Sequence, residues 1–142
     1  MANISTAIVW FREDLRLQDN PALAHACAHY DRVIPIYLYS REPDEWSVGA
    51  ASKWWLHHSL LALDEALQQV NGRLIIRQGS SITQLFESLL KEYSVDAVFW
   101  NRLYTPLAIE RDKSLKSELR QQGVTVQSFK AGLLFEPHEI VK

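Results

Sequence analysis

Five short apolar runs, each but the last followed by a stretch of helix length, restrict the fold of this chain more than any other feature. They are Thr6–Trp10, Val33–Tyr39, Leu74–Gln78, Val95–Trp100 and Val124–Phe129. Runs of this length bounded by polar and turn residues read as strands, and the longer periodic stretches between them read as helices. Such alternation demands a mostly parallel sheet, because each helix must carry the chain back across a face before the next strand begins, through a right-handed crossover. With 142 residues, the chain has the size of one domain with a single core.

The helices carry their own start and stop signals. Asn20 is placed as an N-cap with Pro21 at the first helical position, and Leu23, Cys27 and Tyr30 follow along one face. A long second helix begins near Gly49, with Leu56, Leu60, Leu63, Leu67 and Val70 at three- and four-residue steps and Asn71-Gly72 as its stop. A third follows Ser80-Ser81 with the stripe Ile82, Leu85, Phe86, Leu89, Leu90 and Tyr93, and a fourth runs from about Pro106 to Gln122 before Gly123.

Strand character sets the expected order. Ala7–Trp10 and Ala97–Trp100 are continuously apolar, as strands buried on both faces must be, whereas the fifth run alternates and the third is flanked by Arg73 and Arg77. The first and fourth strands therefore belong at the centre, in a doubly wound, Rossmann-like order 3-2-1-4-5 with helices on both faces. Pro35 disagrees, since proline cannot donate to a ladder; it is expected at a strand start or a bulge.

Composition excludes several classes. A formal net charge of −2 and five scattered His lack the basic footprint of a stand-alone DNA-binding module. A lone cysteine, Cys27, leaves no disulfide framework and fits a reducing, cytoplasmic setting; as a small hydrophobe it is expected to be buried. No apolar stretch approaches the roughly 20 residues that span a bilayer, so no membrane partner is expected.

In a sheet of this order a ligand belongs beyond the carboxyl ends of the strands, where the order reverses between strands one and four. The loop after strand one, FREDLRLQD, contains no glycine, and no phosphate-cradling glycine motif occurs in the chain. Its Arg12, Glu13, Asp14, Arg16 and Asp19 can anchor a polar ligand or pair with one another and cap the next helix. His57 and His58 cannot share a helix face, which argues against a metal there. Asp14 with Asp19, and Glu136 with His138, have no nucleophile near them in sequence and read as anchors and caps rather than acid–base pairs. Trp10, Trp46, Trp54, Trp55 and Trp100 are each expected to pack rather than to react, although Trp46 could act as a loop lid and one of Trp54 and Trp55 could face the crevice.

The string WFREDLRLQDNPAL at residues 10–23 resembles the opening signature of the photolyase/cryptochrome family. GAASKWWLHHSLLAL from Gly49, WNRLYTP from Trp100 with Arg111-Asp112 after it, and LLFEP ending at Pro137 agree in order and spacing. The resemblance implies that this is the N-terminal α/β domain, residues 1–142, of a two-domain flavoprotein. In such a protein this domain holds a light-harvesting antenna, and a helical C-terminal domain, expected to be absent from this chain, holds FAD. It further implies a full-length carbon–carbon lyase that splits UV-induced pyrimidine dimers in damaged DNA, with no catalytic residue in the present chain and no activity of this part alone. The dissolving pattern after Phe129 fits a chain that ends early.

The resemblance also orders the candidate antennae. Leu107-Ala108 stand where the folate-binding members carry Asn-Glu, which disfavours folate. Deazaflavin or flavin is the expected chromophore, with an empty site as the alternative. A flat ring would suit a crevice lined by Arg12, Tyr37, Leu38, Tyr39, Val48, Gly49, Ala50, Ser52, Asn101, Arg102, Leu103 and Tyr104, in which aromatic and small apolar groups sandwich a ring and a few polar atoms orient it. Leu103 replaces an acidic residue of the deazaflavin binders, so one anchor is missing. The partners implied are the FAD domain and, through it, damaged DNA; a fragment lacking that domain is expected to self-associate through the apolar face it leaves open. Two other readings compete: a cryptochrome-type light receptor, and a stand-alone nucleotide-binding or interaction domain.

Overall fold

The computed structural model describes residues 5–12, 20–40, 50–69, 72–102 and 106–129. The elements run β1 (Thr6–Phe11), α1 (Pro21–His29), β2 (Arg32–Ser40), α2 (Ala50–Gln68), β3 (Ile75–Gly79), α3 (Ile82–Glu92), β4 (Ala97–Asn101), α4 (Pro106–Gln121) and β5 (Thr125–Phe129). All pairings are parallel, in the expected order β3-β2-β1-β4-β5. Every residue of β1 and β4 is buried, while β3 and β5 show the alternation of edge strands.

The two faces of the sheet hold separate cores. Ile8, Trp10, Ile36, Leu38, Val98, Trp100 and Val126 pack against Phe86 and Leu89 of α3 and Leu115 and Leu119 of α4. On the other face Ala7, Val9, Phe11, Tyr37, Ala97 and Phe99 meet Ala22 and Ala26 of α1 and Leu63 and Leu67 of α2. The period of two along each strand assigns alternate residues to these cores, which is why continuously apolar strands are needed at the centre.

Pro35 is neither a strand start nor a bulge: it pairs with Val9 in an unbroken register with β1. The Arg32 N–H donates to Ser5 O at 2.9 Å, so residues 32, 34 and 36 face β1 and the Pro35 nitrogen faces the other way. On that side pairing with β3 begins only at Ile36. The missing donor therefore falls where no strand partner yet stands.

Cys27 is exposed, contrary to expectation. The inner face of α1 is made by Ala22 and Ala26, both fully buried, which let the helix approach β1 and β4 closely. Cys27 follows Ala26 by about 100° of helical rotation and so turns outward. The caps fall as expected: the side chains of Asn20 and Ser81 accept from the N–H groups of Leu23 and Gln84 at the starts of α1 and α3.

Gly123 ends α4 with φ +85, and the Gly123 N–H donates to Arg120 O at 3.0 Å. A Cβ placed there would meet nothing within 4 Å, so a substitution costs only the left-handed backbone. Gly123→Ala is expected to lower stability by about 1–2 kcal/mol in denaturant titrations, and Gly123→Asn by less. An alanine variant as stable as the parent would show that the turn does not need this conformation.

Candidate functional site at the strand-order switch

The carboxyl ends of β1 and β4 are joined by a buried polar network. Arg12, one residue past β1, donates from one terminal nitrogen to Asp112 Oδ1 at 2.8 Å and from the other to the Asn101 carbonyl at 2.6 Å. Its guanidinium lies 4.6 Å from the centre of the Trp10 ring. The Asn101 side chain accepts from the Ala22 N–H at 3.0 Å and donates to Asn20 Oδ1 at 2.7 Å, so the same Asn20 oxygen that caps α1 also holds β4. Arg12, Asn20, Asn101 and Asp112 are all buried. Charges at such depth are tolerated only when paired and hydrogen-bonded, which this network provides.

Beneath it lies an aromatic stack. Trp10 meets Trp100 and Phe86 edge to face, each with ring centroids 5.3 Å apart. The indole N–H groups of both tryptophans are buried and meet no acceptor among the described residues. These two tryptophans are core residues, as expected. Trp54 is not: 64% exposed, it rests on His58 at a centroid distance of 4.0 Å. It stands four residues before His58 on the outer face of α2, whereas Leu63 and Leu67 hold the inner one.

The candidate antenna residues are distributed over both faces. Tyr37 and Leu38 are buried on opposite sides of the sheet, Tyr37 over α1 and α2 and Leu38 over α3 and α4. Tyr39, two residues after Tyr37 in β2, is 39% exposed at the carboxyl end of the strand. Arg12 and Asn101 are brought together, and neighbouring Arg102 turns to Ser128 of β5, with Nε donating to its hydroxyl at 3.1 Å. Val48, Gly49, Leu103 and Tyr104 lie outside the described residues, as do the side chains of Ala50 and Ser52. So do Glu13 to Asp19, Trp46, the Trp55 side chain, Val70, Asn71, Glu136 and His138.

Asp112, named above only as part of the family signature, carries a signal of its own in the sequence. It shares a stripe with Ala108, Leu115 and Leu119, all buried, and a carboxylate in an apolar stripe calls for a buried cation. The pair His25 and His29, at the four-residue spacing that His57 and His58 lack, stacks at 4.3 Å. Burial, and then His29, hold the His25 pKa below its ordinary value. No group of three or more His, Cys, Asp or Glu converges among the described residues. No described helix is long and apolar enough to cross a membrane.

A doubly wound parallel sheet with a polar network at its strand-order switch defines a Rossmann-like α/β domain. A family model described as DNA photolyase matches residues 7–142, and the chain belongs to that family. It is 46% identical over 133 residues to a deoxyribodipyrimidine photo-lyase of Agrobacterium fabrum, covering 94% of this chain and 27% of the relative. It is 38% identical to Cryptochrome-1 of Arabidopsis thaliana, covering 94% of this chain and 20% of that one. Among solved structures, a class III photolyase from Agrobacterium tumefaciens superposes with a TM-score of 0.90 at 42% identity, covering 99% of this chain and 29% of that one. An archaeal photolyase from Sulfolobus tokodaii, described with two FAD molecules and an implied novel light-harvesting cofactor, gives 0.85 at 27% identity, covering 96% and 32% of the two chains. The chain thus spans about a quarter of the length of the curated relatives it matches.

Proposed function

We propose that this chain is the antenna-binding domain of a deoxyribodipyrimidine photolyase whose complete form repairs pyrimidine dimers in damaged DNA with light and FAD. The observation that carries the reading is the superposition of nearly the whole chain on a photolyase at 42% identity. The higher identity to a photo-lyase than to a cryptochrome favours repair over light signalling. FAD belongs to a second, helical domain, and no described residue is assigned to it. Cofactor chemistry dominates such a reaction, and the task of this domain is to hold and orient a chromophore.

The described residues fit a flat chromophore in part. Tyr39 offers an aromatic face at the carboxyl end of β2, where a ring can stack. Arg12 and Asn101 are committed to Asp112, Asn20 and Ala22, so they act by holding the crevice walls rather than by gripping a ring. A deazaflavin or flavin fits this better than a folate, since Leu107-Ala108 supply no polar pair at the start of α4.

The test is an absorption and fluorescence spectrum of the purified chain from a host that makes deazaflavin, with mass analysis of whatever heat releases. A tricyclic chromophore, diminished in Tyr39→Ala, is the expected result. A chain that stays colourless when offered deazaflavin, flavin and folate would overturn the antenna assignment. The same sample is expected to split no dimers in light, and detectable repair would contradict the division of labour between the domains.

A further inference from the structure

α1 carries two histidines one turn apart, His25 and His29, separated by Ala26, Cys27 and Ala28. Residues four apart on a helix share a face, and this is the spacing by which helices offer two imidazoles to one zinc ion. The fold brings the rings together: they stack with centroids 4.3 Å apart and planes 20° from parallel. Cys27, between them in sequence, lies about 200° around the helix from His25 and takes no part.

Each ring is held by a different means. His25 is half-buried, and its ring lies against two phenylalanines of the sheet, Phe99 of β4 at 4.9 Å and Phe129 of β5 at 5.1 Å between centroids. His29 is exposed, and its Nδ1 lies 3.0 Å from the His25 carbonyl oxygen. A carbonyl can only accept, so Nδ1 carries the proton of that bond and the neutral ring keeps its lone pair on Nε2. A bond of this kind at the second nitrogen is what fixes the tautomer and orientation of metal-bound histidines. No described residue hydrogen-bonds Nε2 of His29 or either ring nitrogen of His25. At zinc–nitrogen distances of about 2.0–2.1 Å in a tetrahedral site, two ligand nitrogens stand roughly 3.3 Å apart, so a small turn of the exposed His29 ring completes the pair.

We propose that His25 and His29 form a binding site for an imidazole-preferring divalent transition metal, zinc being the type, on the side of α1 that lies over β4 and β5. Two protein ligands leave the remaining positions to water, so the site is exchangeable rather than a closed structural centre. Ala26 stands where helical zinc hydrolases place a glutamate base, so the metal serves no hydrolysis there. Its effect is to staple the last turn of α1, because the two ligands converge only when the helix is formed.

Zinc chloride is the probe, with magnesium, which prefers oxygen ligands, as the control. The isotopically labelled full chain is titrated while the ring nitrogens of its five histidines are followed by NMR. The expected result is a saturable shift of Nε2 in both His25 and His29, with a rise in unfolding temperature that magnesium does not reproduce. His29→Gln, at an exposed position and in a residue that suits a helix, should weaken zinc binding by at least about tenfold and remove most of that rise. Cys27→Ser should leave both unchanged. Zinc shifts confined to the other histidines, an affinity that His29→Gln leaves as it was, or binding lost in Cys27→Ser would each overturn the site.

Discussion

Trp100→Ala is expected to destabilise the chain by about 3–5 kcal/mol, a large share of the 5–15 kcal/mol that holds an ordinary domain together. Trp100 is fully buried in β4, paired with Trp10 of β1 on one side and Ser128 of β5 on the other. Removing the indole takes away the edge-to-face partner of Trp10 and opens a void against Leu115 and Leu119, whose backbones belong to a helix that cannot follow it inward. A second effect separates packing from polarity. The Trp100 indole N–H is buried with no acceptor among the described residues, and a stranded donor of this kind typically costs about 1–3 kcal/mol. Trp100→Phe keeps a ring and removes the stranded donor, so it should cost less than half as much as alanine. Denaturant midpoints at unchanged slope measure both. An alanine loss below about 1 kcal/mol would mean that the central strands do not depend on this ring.

The fold was legible because its determinants are local and repetitive. Continuous apolar runs can be satisfied only between two helical layers, and this alone separates β1 and β4 from the alternating β3 and β5. Where reading failed, side-chain size or partner identity decided. Of the stripe Leu23, Cys27, Tyr30, the first and last do pack against the core, but Cys27 turns outward because α1 puts the smaller Ala22 and Ala26 at its innermost positions, where close approach to the sheet favours small side chains. Pro35 looks forbidden until the registers of β1 and β3 are known separately.

The candidate site was legible as a location and only partly as a constellation. Strand order specifies the crevice, but the bond from Arg12 to Asp112 joins residues 100 apart in sequence. No spacing argument reaches that far. The bond from Lys116 to the Ser128 hydroxyl is hidden for the same reason: a serine on an edge strand and a lysine on a helix read as solvated until the fold sets one upon the other.

Asp112→Ala should destabilise the chain by about 3 kcal/mol, at the lower end of the cost of breaking a buried ion pair, because the Asn101 carbonyl and the Trp10 ring still hold the Arg12 guanidinium. The loss comes less from the attraction removed than from the charge left behind at a side-chain exposure of 8%. That distinction makes the prediction sharp. Arg12→Met combined with Asp112→Leu removes both charges and refills the space with apolar atoms, and buried pairs replaced in this way are often neutral or stabilising. The double variant should therefore be more stable than Asp112→Ala by at least about 2 kcal/mol, in a cycle that also includes each single change. Stability regained in this way is expected to come with a looser crevice: without Arg12 on the Asn101 carbonyl, the link that runs through Asn101 to Asn20 and the start of α1 loses its fixed end. Hydrogen exchange at Ala22 and Leu23 should then quicken even as the unfolding midpoint recovers. If the double variant stays as unstable as Asp112→Ala, the pair stabilises through its hydrogen bonds and not through the neutralisation of a buried charge.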